Sequence, residues 1–220
     1  DGPAGRNSGF MIDLPHVLSS EDYAGNLDND RRQLALNRRA IEFALNAGDE
    51  YAMDDEIICQ SGKINGAATA RGKAANIAYA HHLDRLGESY ELLDAAQMQA
   101  RCGTGYYRHG LFTPGTVMLH PAAYVRGLAE GLSHRIRICE DSPVLQMQHS
   151  HGIWQARTAG GTVSAPRVIM AMNGHIESFG FFKRRLVASR IIVFPQRQRH
   201  SIFALGSIRD GFVPVALAGA

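Results

Sequence analysis

The sequence predicts an α/β fold (mixed α+β). Three observations carry that expectation. From Ser19 to Asn46, apolar residues recur at helical spacing. From Arg135 to Ser164, short β-prone runs alternate with glycine turns, the pattern of an antiparallel meander. Residues 168–172 read VIMAM, an apolar run suited to a strand buried on both faces, as in a parallel core sheet.

The elements follow in chain order. Ser19 and Asp22 have the spacing of a capping box, so a helix is expected to start there. It would carry Leu34, Ile41, Ala44 and Leu45 on one face and Arg31, Arg38, Arg39 and Glu42 on the other. Asn46-Ala47-Gly48 is the expected stop. Glu56 to Gln60 reads as a short strand bounded by Ser61-Gly62. A second helix fits Ala67 to Leu86, closed by Gly87. Asp94 caps a short helix ending near Arg101. Tyr106 to Thr113 and Thr116 to Leu119 read as strands around the Pro114-Gly115 turn. Pro121, at a first helical position, opens a helix to about Leu132. Strands are expected at Arg135–Cys139, Val144–His149, Ile153–Thr158 and Thr162–Ser164, and then at Arg167–Met172.

Composition narrows the class of function. The chain has 220 residues, 45% apolar and 20% charged, which suits one large folded domain or two small ones. A net charge of +2 argues against a nucleic-acid binder, which needs a concentrated basic face. No run reaches the ~18 apolar residues of a membrane helix, so no membrane span is expected. Cys59, Cys102 and Cys139 are too far apart for a metal site and odd in number, which suggests buried thiols in a reducing compartment, the cytoplasm by default. The oligomeric state is not encoded in any pattern.

The common chemical motifs are missing. GxGxxG fails because Gly103-Thr104-Gly105 runs into Tyr106, Tyr107 and Arg108. GxSxG fails around Ser8, flanked by Asn7 and Gly9, which removes a serine-hydrolase reading. His81-His82 is adjacent, so the two rings cannot share a helix face, and the pair reads as exposed rather than metal-binding. His149 and His151 read as part of a turn. No metal site is expected. What remains is an ordered set of pieces: Gly5-Arg6-Asn7-Ser8-Gly9, then LFTPGTVMLHPAAYVRGLAEGL at 111–132, IRICEDSPVLQM at 136–147, and APRVIMAMNG at 165–174.

In this order and spacing, over roughly residues 2–186, the pieces resemble the FAD-dependent amine oxidoreductases of the D-amino-acid oxidase superfamily. The branch with gamma-glutamylputrescine oxidoreductase and glycine/D-amino-acid oxidases is the nearest in pattern. The resemblance implies a partial FAD-binding Rossmann-like domain with an antiparallel-sheet substrate domain. It implies an FAD-proximal loop and long helix over 1–50 and a substrate-type part over 51–120. Residues 121–175 would return to the FAD-binding domain with the meander, and 176–220 would begin the substrate domain again. Gly5, Arg6, Asn7, Ser8 and Gly9 would face the cofactor. Glycines let backbone N–H groups approach a ligand, and Arg6 and Asn7 add donors. The resemblance implies adenine contact at Val144 and FAD proximity at Ala171 and Asn173. Met11, Ile12 and Leu14 would back the flavin region, or simply fill the core.

Arg108 is the candidate fork for a substrate carboxylate. His120 has two open readings, a catalytic group or a neighbour of a helix cap, and no catalytic residue is assigned. The implied reaction oxidises the C–N bond of an amine or amino acid by hydride transfer to flavin. Imine hydrolysis and reoxidation by oxygen or an electron carrier would follow. The chain reads as a fragment incomplete for catalysis, because the family's GxGxxG βαβ unit is not in it. Past Leu186 no family pattern is legible, and the tail reads as a divergent segment or a shifted reading frame. A non-catalytic interaction module is the alternative.

Overall fold

The structure, a computed structural model, describes residues 3–15, 27–185, 202–204 and 212–217. They fall into two units. The first draws on Asp1–Glu130 and Ile192–Ala220, the second on Gly131–Ile191.

Among the described residues the first unit holds two sheets and three complete α-helices. The smaller sheet has the order β1 (Phe10–Met11), β6 (Val117–Leu119), β2 (Ile58–Cys59). The larger has the order β10 (Ile202–Ala204), β11 (Phe212–Leu217), β3 (Lys63–Ala67), β5 (His109–Thr113), β4 (Glu91–Leu93). Among the described residues every strand pair is antiparallel. β3 is central and buried along its whole length. Its side chains alternate between two apolar layers. Ile64 packs with Leu93, Met98, Cys102 and Tyr107, against α3 (Ala95–Cys102). On the opposite face, Leu111 of β5 packs with Tyr79, Ala80 and Leu83 of α2 (Ala70–Leu86) and with Leu14. A third cluster joins Ile41 and Ala44 of α1 (Leu27–Glu50) to Ile58 and Val117 of the smaller sheet.

Local chemistry explains the helix ends. Thr69 accepts from the Gly72 N–H to start α2, and Gly87 closes it at φ 77°. Asp94 and Gln97 form a reciprocal capping box at the start of α3. Pro121 opens α4 (Pro121–Leu132), whose last residues pass into the second unit.

The mixed α+β class holds, and several elements differ from expectation. The Ser19–Asp22 helix start lies outside the described residues. α1 continues past Asn46 to Glu50, because Gly48 is a packing position rather than a stop. A Cβ there would come within 2.9 Å of the Ile58 Cγ2 atom. Lys63–Ala67 is a strand, so the second helix starts at Ala70 and not at Ala67. Its Asn65-Gly66 looks like a breaker, yet Gly66 gives Tyr107 room to lie flat on the strand. Arg135–Cys139 is not a strand, and Ile136 and Ile138 stay half exposed with no ladder to join. The VIMAM segment likewise forms no ladder among the described residues, and Ile169 is 93% exposed. An apolar strand needs a neighbour on each side, and none of the described strands flanks it. Of the three thiols expected to be buried only Cys102 is, while Cys59 is half-buried and Cys139 exposed. The tail is not foreign to the fold, since β11 pairs with β3 from Phe212↔Ala67 to Val215↔Ile64.

The second unit contains the expected meander, β7 (Gln146–Ser150), β8 (Ile153–Thr158) and β9 (Gly161–Ala165). His151-Gly152 makes the first turn, with His151 at φ 51°. His149 stacks on Trp154 at 4.6 Å between ring centroids.

Candidate functional site

The segment Gly5–Gly9 is a closed loop with a defined shape. It follows a 3₁₀ turn at Pro3–Gly5 and leads into β1. The Asn7 side chain fixes it from within, donating to the Ala4 carbonyl at 2.8 Å and accepting from the Gly9 N–H at 2.9 Å. Asn7 therefore shapes the loop as much as it offers donors to a ligand. Gly9 lies at φ 75°, a conformation that strains residues with a Cβ. Its carbonyl accepts from the Leu119 N–H at 2.8 Å, locking the loop to the β6–α4 junction. Gly5 rests on Ala122 in the first turn of α4. Arg6 and Asn7 are exposed and Ser8 is half-buried, so the loop presents its polar groups outward.

His120 sits at that junction as a cap. Its Nδ1 accepts from the Ala123 N–H at 3.2 Å, and its own N–H donates to the Ile57 carbonyl. An imidazole that accepts at Nδ1 carries its proton on Nε2. The cap neighbour is thus the reading the geometry supports for His120.

The remaining expected residues are distributed through the two units. Arg108 is exposed at the start of β5, where its backbone N–H donates to Ala67. Val144 is half-buried in the stretch before β7. Ala171 and Asn173 are exposed in the second unit, and Asn173 lies at φ 54° at the start of a 3₁₀ turn. His82 is not exposed. It is buried between α1 and α2, with Nε2 2.9 Å from Asp30 and Nδ1 3.1 Å from Arg85. Both ring nitrogens have partners, which lets an imidazole enter the interface. Among the described residues no group of three His, Cys, Asp or Glu side chains could hold a metal ion.

The sequence expectations passed over several buried polar residues of the first unit. Asp13, Lys63, Thr113 and Thr116 are at most 2% exposed. Burial pulls the Lys63 ammonium down to about 8, against the opposing field of Asp13. His109 is also buried and held below the usual histidine range, first by desolvation and then by Lys73. The only sequence signal was a lysine inside a run that the sheet covers.

Comparison with known proteins decides the family. The FAD dependent oxidoreductase (DAO) family matches residues 1–216. The chain belongs to this family. Its cofactor is FAD. The match runs well past Leu186, so the tail carries family pattern that was not legible by eye. The chain is 24% identical over 184 residues to a probable oxidoreductase OrdL of Rhizobium meliloti, covering 80% of this chain and 42% of that protein. It is similar in fold to glycine oxidase from Bacillus cereus, with a TM-score of 0.67, 13% identity, and coverage of 98% of this chain and 62% of that one. It is also similar to L-amino acid deaminase from Proteus vulgaris, with a TM-score of 0.63, 12% identity, and coverage of 98% and 52%. The chain thus spans about two-fifths of the curated relative and half to three-fifths of these structures. Among the described residues no helix is long and apolar enough to cross a membrane.

Proposed function

We propose that the loop Gly5–Gly9 is the flavin contact of an oxidoreductase that oxidises the C–N bond of an amine or amino acid. The observation that carries this reading is the loop itself. It turns through a left-handed glycine, is braced internally by Asn7, and is seated on the first turn of α4. Its outward groups fit a polar cofactor edge, since Arg6 offers a guanidinium fork, Asn7 a further N–H, and Ser8 a hydroxyl. The substrate class is supported by the similarity in fold to a glycine oxidase and an amino acid deaminase.

FAD, when bound, supplies the acceptor for the hydride equivalent that leaves the carbon beside the amine. This chain's residues orient and enclose. Asn7 holds the loop backbone in place and Arg6 meets negative charge on the cofactor. Val144, Ala171 and Asn173 are the proposed second set of cofactor contacts, and Arg108 the proposed partner for a substrate carboxylate. We further propose that this chain is one part of a longer cytoplasmic flavoprotein and is incomplete for catalysis. Its share of its relatives' length supports the first point, and its three free cysteines support the compartment.

The second reading, an interaction module, draws on the exposed Val168 and Ile169 and on an α4 with no buried residue. One experiment separates the two. The purified chain is incubated with FAD, passed through gel filtration, and scanned for bound flavin absorbance. Comigrating flavin supports the oxidoreductase reading, and its loss in an Arg6→Ala variant assigns it to the loop. A folded, colourless protein removes the flavin site from this chain and favours the module.

A further inference from the structure

Four buried side-chain atoms lie on segments of the first unit that pack against one another. They are Asp13 Oδ1, Lys63 Nζ, Thr113 Oγ1 and Thr116 Oγ1. Among the described residues none of the four has a hydrogen-bond partner. Their residues are at most 2% exposed. Three chain segments bring them together. Lys63 and Thr113 are register partners on adjacent strands, so their side chains share a face. Gly62, next to Lys63, donates its N–H to the Thr116 carbonyl at 2.9 Å. Asp13 packs against Gly115 in the same turn, where a Cβ would overlap its carboxylate. The Asp13 charge acts directly on Lys63.

Other atoms of Asp13 have partners. Arg38 of α1 meets its Oδ2 at 3.4 Å and is itself bound to Glu88, while Asn37 donates to the Asp13 carbonyl. That leaves an ammonium with three donors, a carboxylate oxygen and two hydroxyls without protein partners on neighbouring segments. Buried polar groups of this density are normally satisfied, and internal water is the usual means where the protein does not provide partners. Acid and base offset each other here, so the chemistry favours a neutral ligand over a net ion.

We propose that Asp13, Lys63, Thr113 and Thr116 enclose an internal water site, whose bridging hydrogen bonds anchor the β1 segment to the larger sheet. Its Asp13 lies four residues beyond Gly9, and the site stands whether or not the loop binds flavin. Lys63 stays charged at neutral pH, because its ammonium is held near 8. A buried charge persists only with acceptors around it.

The test combines a high-resolution crystal structure of the chain with amide hydrogen exchange. The expected structure shows ordered water within hydrogen-bond reach of Lys63 Nζ and at least one of the other three atoms. Finding the four groups bonded only to one another, or an adventitious halide between them, overturns the proposal. In Thr116→Val, a near-isosteric change, exchange at Phe10 and Met11 is expected to rise about tenfold, the equivalent of one buried hydrogen bond. Lys63→Met should raise it further, and Lys63→Arg should restore part of the protection. Unchanged exchange in Thr116→Val, which removes no charge and little volume, also overturns it.

Discussion

Gly9→Ala is the most direct perturbation of the candidate site. At φ 75° the residue occupies a left-handed conformation, which costs a non-glycine residue about 1–2 kcal/mol. The added methyl also has no space. Its Cβ would lie 2.0 Å from the Leu119 carbonyl oxygen and 3.3 Å from Pro121 Cδ. Relief requires the loop to move away from β6 by more than an ångström. That movement breaks the 2.8 Å bond from the Leu119 N–H to the Gly9 carbonyl, a further ~1 kcal/mol. The expected loss is therefore about 2–3 kcal/mol, read as a shift in the urea midpoint with an unchanged slope. Gly5→Ala is the control. Its Cβ would make ordinary contact, 3.5 Å from the Ala122 Cα, so the change should cost well under 1 kcal/mol by the usual range for tolerated sites. Equal tolerance of both substitutions would refute the reasoning, because it would mean that the loop is not held against the β6–α4 junction.

Three further outcomes follow from the same geometry. Asn7→Ala removes both internal bonds of the loop and should cost ~1 kcal/mol by thermal melting, while Asn7→Asp keeps the acceptor for Gly9 and should cost less. Asp94→Ala removes the capping box of α3 and should cost ~1 kcal/mol by chemical denaturation. Lys63 makes stability depend on pH. Its folded pKa of about 8 lies below the ordinary 10.5, so the burial penalty is full below pH 8 and is relieved as pH rises from 8 to 10.5. The rise is at most about 3 kcal/mol. Asp13 faces the ammonium, with Arg38 and Glu88 behind it. The Cys59 and Cys102 thiols, pushed up by burial, act with opposite sign in the same window. The difference between wild type and Lys63→Met isolates the lysine, and a flat difference from pH 8 to 10.5 contradicts the assignment.

The elements legible in the sequence are those fixed by local chemistry. The caps at Asp94 and Gly87, the opening proline of α4 and the turns of the meander are all decided within four residues. The elements missed are those decided by distant neighbours. Lys63-Ile64-Asn65-Gly66-Ala67 has weak strand character, and becomes the central strand only because β5 and β11 lie on either side. VIMAM has strong strand character and forms no ladder, because none of the described strands lies beside it.

The same logic governs the site. Gly5-Arg6-Asn7-Ser8-Gly9 was recognisable because glycines mark a backbone conformation wherever they occur. Asp13 and Lys63 were not, because a charged residue looks solvent-exposed until the fold covers it. Nothing local in Lys63-Ile64-Asn65 signals that α2 will lie across one face of the strand, as the Asn76 side chain's bond to the Asn65 carbonyl records. His82 makes the point again, since its burial depends on Asp30, which lies 52 residues away. Polar residues whose environment is made by long-range pairing are therefore where a sequence reading of this family's chains fails first, and they are also where the fold holds its unsatisfied hydrogen-bonding capacity.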